Sequence, residues 1–506
     1  MDKAFLYFYH KKTMLFVLML GCIAFLVSMW HRYAYIDDCF FGEQAYWLAK
    51  EGIVRTKTIH AGLGWDERLF VYHKLNIWIG ALIIKCFGWS IYYLKTFTLL
   101  IYISFFFLLK KYVQVDRSRF PETTFLLVSL LIFVNPLTFI YGFTYRPEIL
   151  VMVAGFVSFM ALEKVRINES RILLWSVIAG IAAGIAFLTH LNGIIFAVSG
   201  FFYLIIYRKY QLLIPFMISG GIIMSFYFID LLPSGNLTRF LTQINNWPDA
   251  VSGNYHSKAN FLTNALIKLS TEHQRFFWGD KVFAFSTLFF LSIILAFRYL
   301  KETQKPLLLY TGMLILFLNL LGSQIAERYL LYYYPMMALI IALSVLHFIK
   351  QRQFVRLSIV SVVLLIQIGI TTKYWLSIMK ENSDFITVNK QLSNFIPAES
   401  TKILAPYSYI YNEISNKLLT YHTLEYFELL QKKKLTGTEA LARCALLGVD
   451  HIIVDHYPFT DDKVKRWFEP AINGTDTNYR VFRNYEGHII LSRIRNREFN
   501  TLKTLD

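Results

Sequence analysis

The chain reads as a polytopic α-helical membrane protein that carries a small C-terminal α/β domain. Three observations support this. Of its 506 residues, 56% are hydrophobic and 17% aromatic, with a mean hydropathy of +0.43, more apolar than a soluble chain of this length. Apolar runs near the ~20 residues that cross a bilayer recur along the first three quarters. Beyond about residue 378 those runs stop and charge rises.

Eleven spans are predicted, at 14–31, 91–109, 123–139, 149–163, 172–189, 193–207, 212–231, 282–297, 307–322, 330–348 and 356–374. The net charge of +17 does not point to nucleic acid, because the basic residues cluster in alternate short connectors. Lys110, Lys111, Arg117 and Arg119 share one; Lys164, Arg166 and Arg171 the next; Arg208 and Lys209 a third. Arg298, Lys301 and Lys305, then Lys350, Arg352 and Arg356, complete the set. The positive-inside rule puts these connectors and the N-terminus in the cytoplasm. The N-terminal run, flanked by Lys11 and Lys12, lacks a small-residue cleavage site and reads as an uncleaved first helix. The apolar segment 75–89, bracketed by Trp78 and Trp89, is short and reads as an interfacial or re-entrant helix. An odd span count then places the C-terminus outside.

Two domains follow: a membrane domain over 1–377, with a long first outer loop at 32–90, and an extracytoplasmic α/β domain over 378–506. In the second, a helix capped by Ser383 should present Phe385, Ile386, Leu392, Phe395 and Ile396. Strands are expected at 402–405, 451–455 and 487–491, and a helix at 436–447. The cysteines Cys22, Cys39, Cys86 and Cys444 form no CxxC pair and no zinc spacing.

Polar residues gather on the predicted outer side. Asp37 and Asp38 follow the first span directly, and Glu43 to Ala49 reads as a short amphipathic helix. Asp66, Glu67, His73 and Lys74 lie in the same loop. Later outer connectors hold Arg146 and Glu148, then His190 and Asn192, then Trp247, His256, His273, Arg275 and Trp278, and last Glu327, Arg328 and Tyr329. Singly, each has a bland role as a solvated helix end, a structural ion pair or a headgroup anchor. Grouped charges near membrane depth point to function.

The order of these residues resembles the GT-C class of polyprenyl-phosphate-dependent glycosyltransferases, the aminoarabinose transferase and protein O-mannosyltransferase types above all. Asp37-Asp38-x-x-Phe41-Gly42 is similar to the Asp-Glu-x-x-Tyr-Ala segment of that class. Tyr72 to Trp78 resembles its Lys-Pro-Pro-Leu-x-x-Trp segment, with Leu75 and Asn76 in place of the prolines and His73 in place of a glutamate. Phe87-Gly88, with Lys95 later, resembles Phe-Gly-x-x-x-x-x-Arg, lysine replacing arginine. Arg146-Pro147-Glu148 looks like the second acidic motif, and Arg328-Tyr329 with Pro335 resembles an Arg-Tyr segment opening a late span. The resemblance covers roughly residues 10–350.

The resemblance implies an inverting transfer of a sugar from a polyprenyl phosphate to a glycan, lipid or protein acceptor outside the cytoplasm. It makes Asp37 the base, with Asp38 sharing that role or holding an acceptor hydroxyl, and Glu148 orienting the acceptor or fixing Arg146. Negative charge grows on the departing lipid phosphate, so fixed cations lower the barrier; Lys74 and Arg328 are the candidates. Arg146, His190, Asn192 and Tyr329 complete the expected substrate-binding set. No cofactor is expected. Asp37, Asp38 and Glu148 form an oxygen set suited to a hard cation, but the nearest types imply none. Richness in Lys, Ile, Phe, Tyr and Asn hints at a bacterial cell membrane and undecaprenyl phosphate. The rival readings are an O-antigen-type polymerase or ligase, resting on outer arginines, and a lipid-linked sugar transporter, which would show repeats and broken helices with midplane charges.

Overall fold

The first span leads straight into a second helix that carries the acid pair. A computed structural model describes residues 3–60, 63–115, 121–246, 261–322, 325–380, 384–397, 402–415, 417–455 and 461–494. Arg117, Arg119, Trp247, His256 and Ser383 lie outside them. The membrane part holds α1 (Lys3–Met29), α2 (Ile36–Glu51), α3 (Lys74–Phe87), α4 (Ile91–Val115), α5 (Pro121–Phe133), α6 (Pro136–Tyr141), α7 (Glu148–Arg166), α8 (Ile172–Thr189), α9 (Ile194–Ile206) and α10 (Leu213–Ser225). There follow α11 (Asn236–Asn245), α12 (Phe261–Thr271), α13 (His273–Phe277), α14 (Asp280–Thr303), α15 (Lys305–Leu321), α16 (Tyr334–Lys350) and α17 (Phe354–Lys380).

Ten of the eleven predicted spans each fall on one helical run. Among the described residues, seven helices are long and apolar enough to cross a membrane, and three more apolar helices are shorter. The protein is an integral membrane protein. The segment predicted at 123–139 is not one helix. It breaks at Asn135-Pro136, where Pro136 opens α6 and the Asn135 side chain accepts from the Leu137 amide at 2.9 Å; proline fits a first turn but not a helix interior. At the centre, α16 is almost wholly buried, from Tyr334 through Ser344. Its all-round apolar surface belongs inside a bundle.

The expected helix at Glu43–Ala49 is longer than predicted. It begins at Ile36, so the acid pair occupies its first turn and not a loop. Asp38 reaches back to accept from the Tyr35 amide at 3.1 Å, satisfying one of the amides that a helix start leaves open. The helix ends at Gly52, whose φ of 71° suits glycine. The segment predicted to lie at the interface is α3, fourteen residues long. That is about 21 Å, short of the ~30 Å apolar core.

The C-terminal part holds α18 (Phe385–Asn394), α19 (His422–Gln431), α20 (Gly437–Leu446) and α21 (Asp462–Ile472). These surround a five-stranded sheet of β1 (Ile403–Ala405), β2 (Leu418–Thr420), β3 (His451–Val454), β4 (Tyr479–Tyr485) and β5 (His488–Arg493), in the order β2-β1-β3-β5-β4. The β2-β1-β3 pairs are parallel and the β3-β5-β4 pairs antiparallel. The strands at β1, β3 and β5 and the helix at α20, capped by Thr436, match expectation. Strands β2 and β4 and helices α19 and α21 were not anticipated. Strand β2 is only three residues long, and β4 exposes most of its side chains, so neither carries a strong apolar signal.

This domain is tied to the helix that bears the acids. The Thr58 carbonyl accepts from the Thr420 amide at 2.8 Å and from the Thr423 hydroxyl at 3.1 Å. Tyr407 donates to Glu43 at 3.0 Å and Tyr411 to the Asp38 carbonyl at 2.7 Å. Trp89 stacks on Tyr411, ring centres 4.7 Å apart. Beside α1, Tyr33 bonds Ser408 at 2.5 Å and donates to Asp455 at 3.2 Å, and Asp455 pairs with His488 at 2.7 Å. Burial opposes charge on His488, but the Asp455 carboxylate outweighs it and raises the pKa above the usual 6.5. A raised folded value gives stability that is complete below the unfolded pKa and lost as pH rises through the folded one. We predict that the melting temperature falls as pH rises from about 6.5 through the raised His488 value, and falls less in His488→Gln.

Candidate active site

Adjacent residues on a helix point about 100° apart, and this separates the two acids. Asp38 is fully buried. Its oxygens accept from the Tyr145 amide at 2.6 Å and the Tyr35 amide, and pair with Lys95 at 3.1 Å. Lys95, itself buried, also donates to the Tyr33 carbonyl at 3.0 Å. Burial pushes the Asp38 carboxyl above its ordinary range, against the pull of Lys95 and the two amides. Glu43, one turn further on, is equally buried. Its carboxylate accepts from Trp47, from the Lys57 amide at 2.7 Å, from the Thr58 hydroxyl at 2.6 Å and from Tyr407.

Asp37 is different. Its side chain is 40% exposed and lines a cavity of about 290 Å³ with Tyr35, Tyr141, Thr144, Arg146, Lys281 and Tyr374. The Arg146 guanidinium donates to the Asp37 carboxylate. The same guanidinium forks onto Glu148, at 3.0 Å and 2.7 Å. Arg328 stands 3.4 Å from Glu148 on the other side. Asp37, Arg146, Glu148 and Arg328 thus form an alternating row of charges. Arg146 lies between Asp37 and Glu148, and Asp38 faces Lys95, so the three acids do not converge as the ligand set a hard cation needs. Among the described residues no three His, Cys, Asp or Glu side chains gather to hold a metal.

The remaining predicted residues flank this row. His190 stacks on His73 with centres 4.5 Å apart and meets the Tyr329 ring edge-on at 5.3 Å. Its Nδ1 accepts from the Asn192 amide at 3.0 Å, so a neutral ring carries its proton on Nε2. The buried Asn192 side chain has no bond to its Nδ2. Burial lowers the His73 pKa to about 4, so this ring is neutral at physiological pH.

Lys74 is not a free cation. It is fully buried, and its Nζ lies 2.6 Å from the Asp230 carboxylate. Tyr72 donates to the same oxygen at 2.6 Å, and Arg68 stands 3.8 Å from the other. Asp230 was not anticipated, though it is the lone charge in the apolar run 211–232, and an isolated intramembrane acid is a functional signal. Tyr35, Tyr141 and Tyr374 were also missed, since tyrosines in an aromatic-rich chain carry no signal of their own, and so was Lys281, in the first turn of α14.

Tyr145 links α3 to the acid helix. Its hydroxyl donates to the Asn76 carbonyl at 2.7 Å, and a side chain at Gly80 would collide with it. We predict that Gly80→Ala costs about 1–3 kcal/mol through overpacking, read as a lower melting temperature.

No family model matches the sequence, and no curated protein matches it either. Solved structures do match. ArnT from Cupriavidus metallidurans, bound to undecaprenyl phosphate, superposes with a TM-score of 0.59 over 95% of this chain and 98% of that one, at 10% identity. Its apo form gives 0.59 at 9% identity, covering 95% and 97%. The Archaeoglobus fulgidus oligosaccharyltransferase AglB, in complex with an inhibitory peptide and a dolichol-phosphate, gives 0.50 at 12% identity over 97% of this chain and 75% of that one.

The fold is GT-C. At these identities the likeness is one of architecture. It extends over nearly the whole chain, so the C-terminal sheet domain is included in the GT-C superposition. Within the GT-C frame, Asp37 stands on the first helix after the first span, and Lys74 opens the next helix.

Proposed function

We propose that the protein is an inverting, metal-independent glycosyltransferase. It moves a sugar from a polyprenyl phosphate, undecaprenyl phosphate in a bacterium, to a glycan, lipid or protein acceptor on the extracytoplasmic side. The observation that carries this reading is Asp37: an accessible carboxylate on a cavity wall, held by an arginine that Glu148 fixes from behind. The acceptor hydroxyl or amine enters the cavity and gives its proton to Asp37 as it attacks the anomeric carbon. The bond from that carbon to the phosphate oxygen breaks, and the lipid phosphate leaves with the electron pair.

Asp38 is a positioning group in this scheme. With Lys95 it fixes the first turn of α2, and so the direction of Asp37. Arg146 and Arg328 stabilise negative charge near the reacting centre. Tyr35, Tyr141 and Tyr374 offer ring faces and hydroxyls to the acceptor. His190, Asn192 and Tyr329 are assigned to sugar or phosphate contact. Lys74, Tyr72 and Arg68 make a cradle of donors for the lipid phosphate.

The test is transfer or sugar release by purified protein in lipid, offered a panel of polyprenyl-phosphate sugars. Turnover of one donor establishes the reaction and names the sugar. Absence of turnover with every donor and acceptor, in folded protein, overturns the reading.

A further inference from the structure

The cradle around Lys74 is already occupied by an anion of the protein's own. Lys74 and Tyr72 each approach one Asp230 oxygen at 2.6 Å, and Arg68 faces the other at 3.8 Å. Trp78 donates to the Tyr72 hydroxyl at 3.4 Å, fixing the second donor. Two donors and a guanidinium nearby on one carboxylate is the kind of arrangement that binds a phosphate. The location suits a lipid-borne anion. Asp230 lies next to last in the helical run Phe226–Leu231 that follows α10, and its neighbours Phe228, Ile229 and Leu232 are exposed apolar residues. An apolar groove of about 250 Å³ lies between α8, α9 and α10 on the same run. Asp230 itself is a quarter exposed, whereas Lys74 is fully buried, so the carboxylate is the partner able to withdraw.

We infer that Asp230 is an internal competitor for the donor-phosphate position, one that is displaced on donor binding and returns to expel the spent lipid phosphate. This rests on the transferase reading. Its chemical logic comes from the change of charge during the reaction. The donor is a phosphodiester with one negative charge. The product is a phosphomonoester that reaches nearly two near neutral pH. A cationic cradle therefore holds product more tightly than donor, and without a competitor it would be blocked by its own product. A carboxylate that occupies the cradle most of the time reduces the apparent affinity of every phosphate by the fraction of empty cradles. The tight ligand is thereby brought into a range where it leaves, and product release commonly limits turnover. Asp230 acts through Lys74 and touches no reacting atom, so it is a positioning residue.

The experiment measures binding of undecaprenyl phosphate to Asp230→Asn, Asp230→Glu and the wild type in lipid, followed by calorimetry. Steady-state kinetics with added undecaprenyl phosphate run alongside. For Asp230→Asn, binding about tenfold tighter is expected, with a lower KM for the donor, a lower kcat and stronger product inhibition. Asp230→Glu should stay near wild type. A purely structural ion pair would instead lower the melting temperature and weaken binding. Unchanged or weaker binding by folded Asp230→Asn overturns the inference, as does tighter binding in Asp230→Glu to the same degree. Should Asp230→Asn fail to fold, Asp230→Ser replaces it with the same expected result. Binding needs no turnover, so tightening in a protein that transfers no sugar would sustain the competitor role and remove the transferase reading alone.

Discussion

Asp37→Asn is expected to cut sugar transfer sharply while leaving the protein folded. The expected loss is at least ~100-fold in kcat, the usual worth of a positioned general base. The substitution keeps the shape of the side chain and removes its ability to take a proton. Stability should change little, because Asp37 is 40% exposed and Arg146 keeps its two bonds to Glu148. Donor binding should also persist, since the cradle around Lys74 does not involve Asp37. The result to look for is therefore a fall in kcat with donor affinity and melting temperature retained. Transfer undiminished in the mutant would remove Asp37 as the base and direct attention to Glu148.

Asp38→Asn has the opposite profile. Its carboxylate and Lys95 are both buried, and removing one partner leaves a charge in the interior with nothing to offset it. Breaking such a pair costs about 3–5 kcal/mol, so the yield of folded protein and its melting temperature should drop sharply. Replacing both residues, Asp38→Asn with Lys95→Met, should recover much of the loss, because the unpaired charge is gone. Folded Asp38→Asn that melts like the wild type would mean that the pair is not what holds α2. Adjacent acids thus give two separable phenotypes, one chemical and one structural.

The membrane helices were legible because a ~20-residue apolar run is a strong signal. So was the gathering of Asp37, Arg146, Glu148 and Arg328, which follows once alternate connectors are assigned to one side. What was not legible depends on contacts between distant segments. Whether Asp37 or Asp38 faces the cavity is decided by the Lys95 ammonium, 57 positions later, and by the Tyr145 amide. The neutralisation of Lys74 depends on Asp230, 156 positions away. The short strand β2 exists because it extends a sheet, and three residues carry no periodicity of their own.

The bonds between the C-terminal sheet domain and α2 also order events in time. Glu43 and the Asp38 carbonyl receive Tyr407 and Tyr411, which the ribosome adds more than three hundred residues after α2 is complete. At ordinary elongation rates that interval is on the order of tens of seconds. Through it, the acid helix waits in or beside the bilayer with Lys95 and Tyr145 already made but without its partners from the sheet domain. Until those residues arrive, α2 lacks the contacts that tie it to the sheet domain.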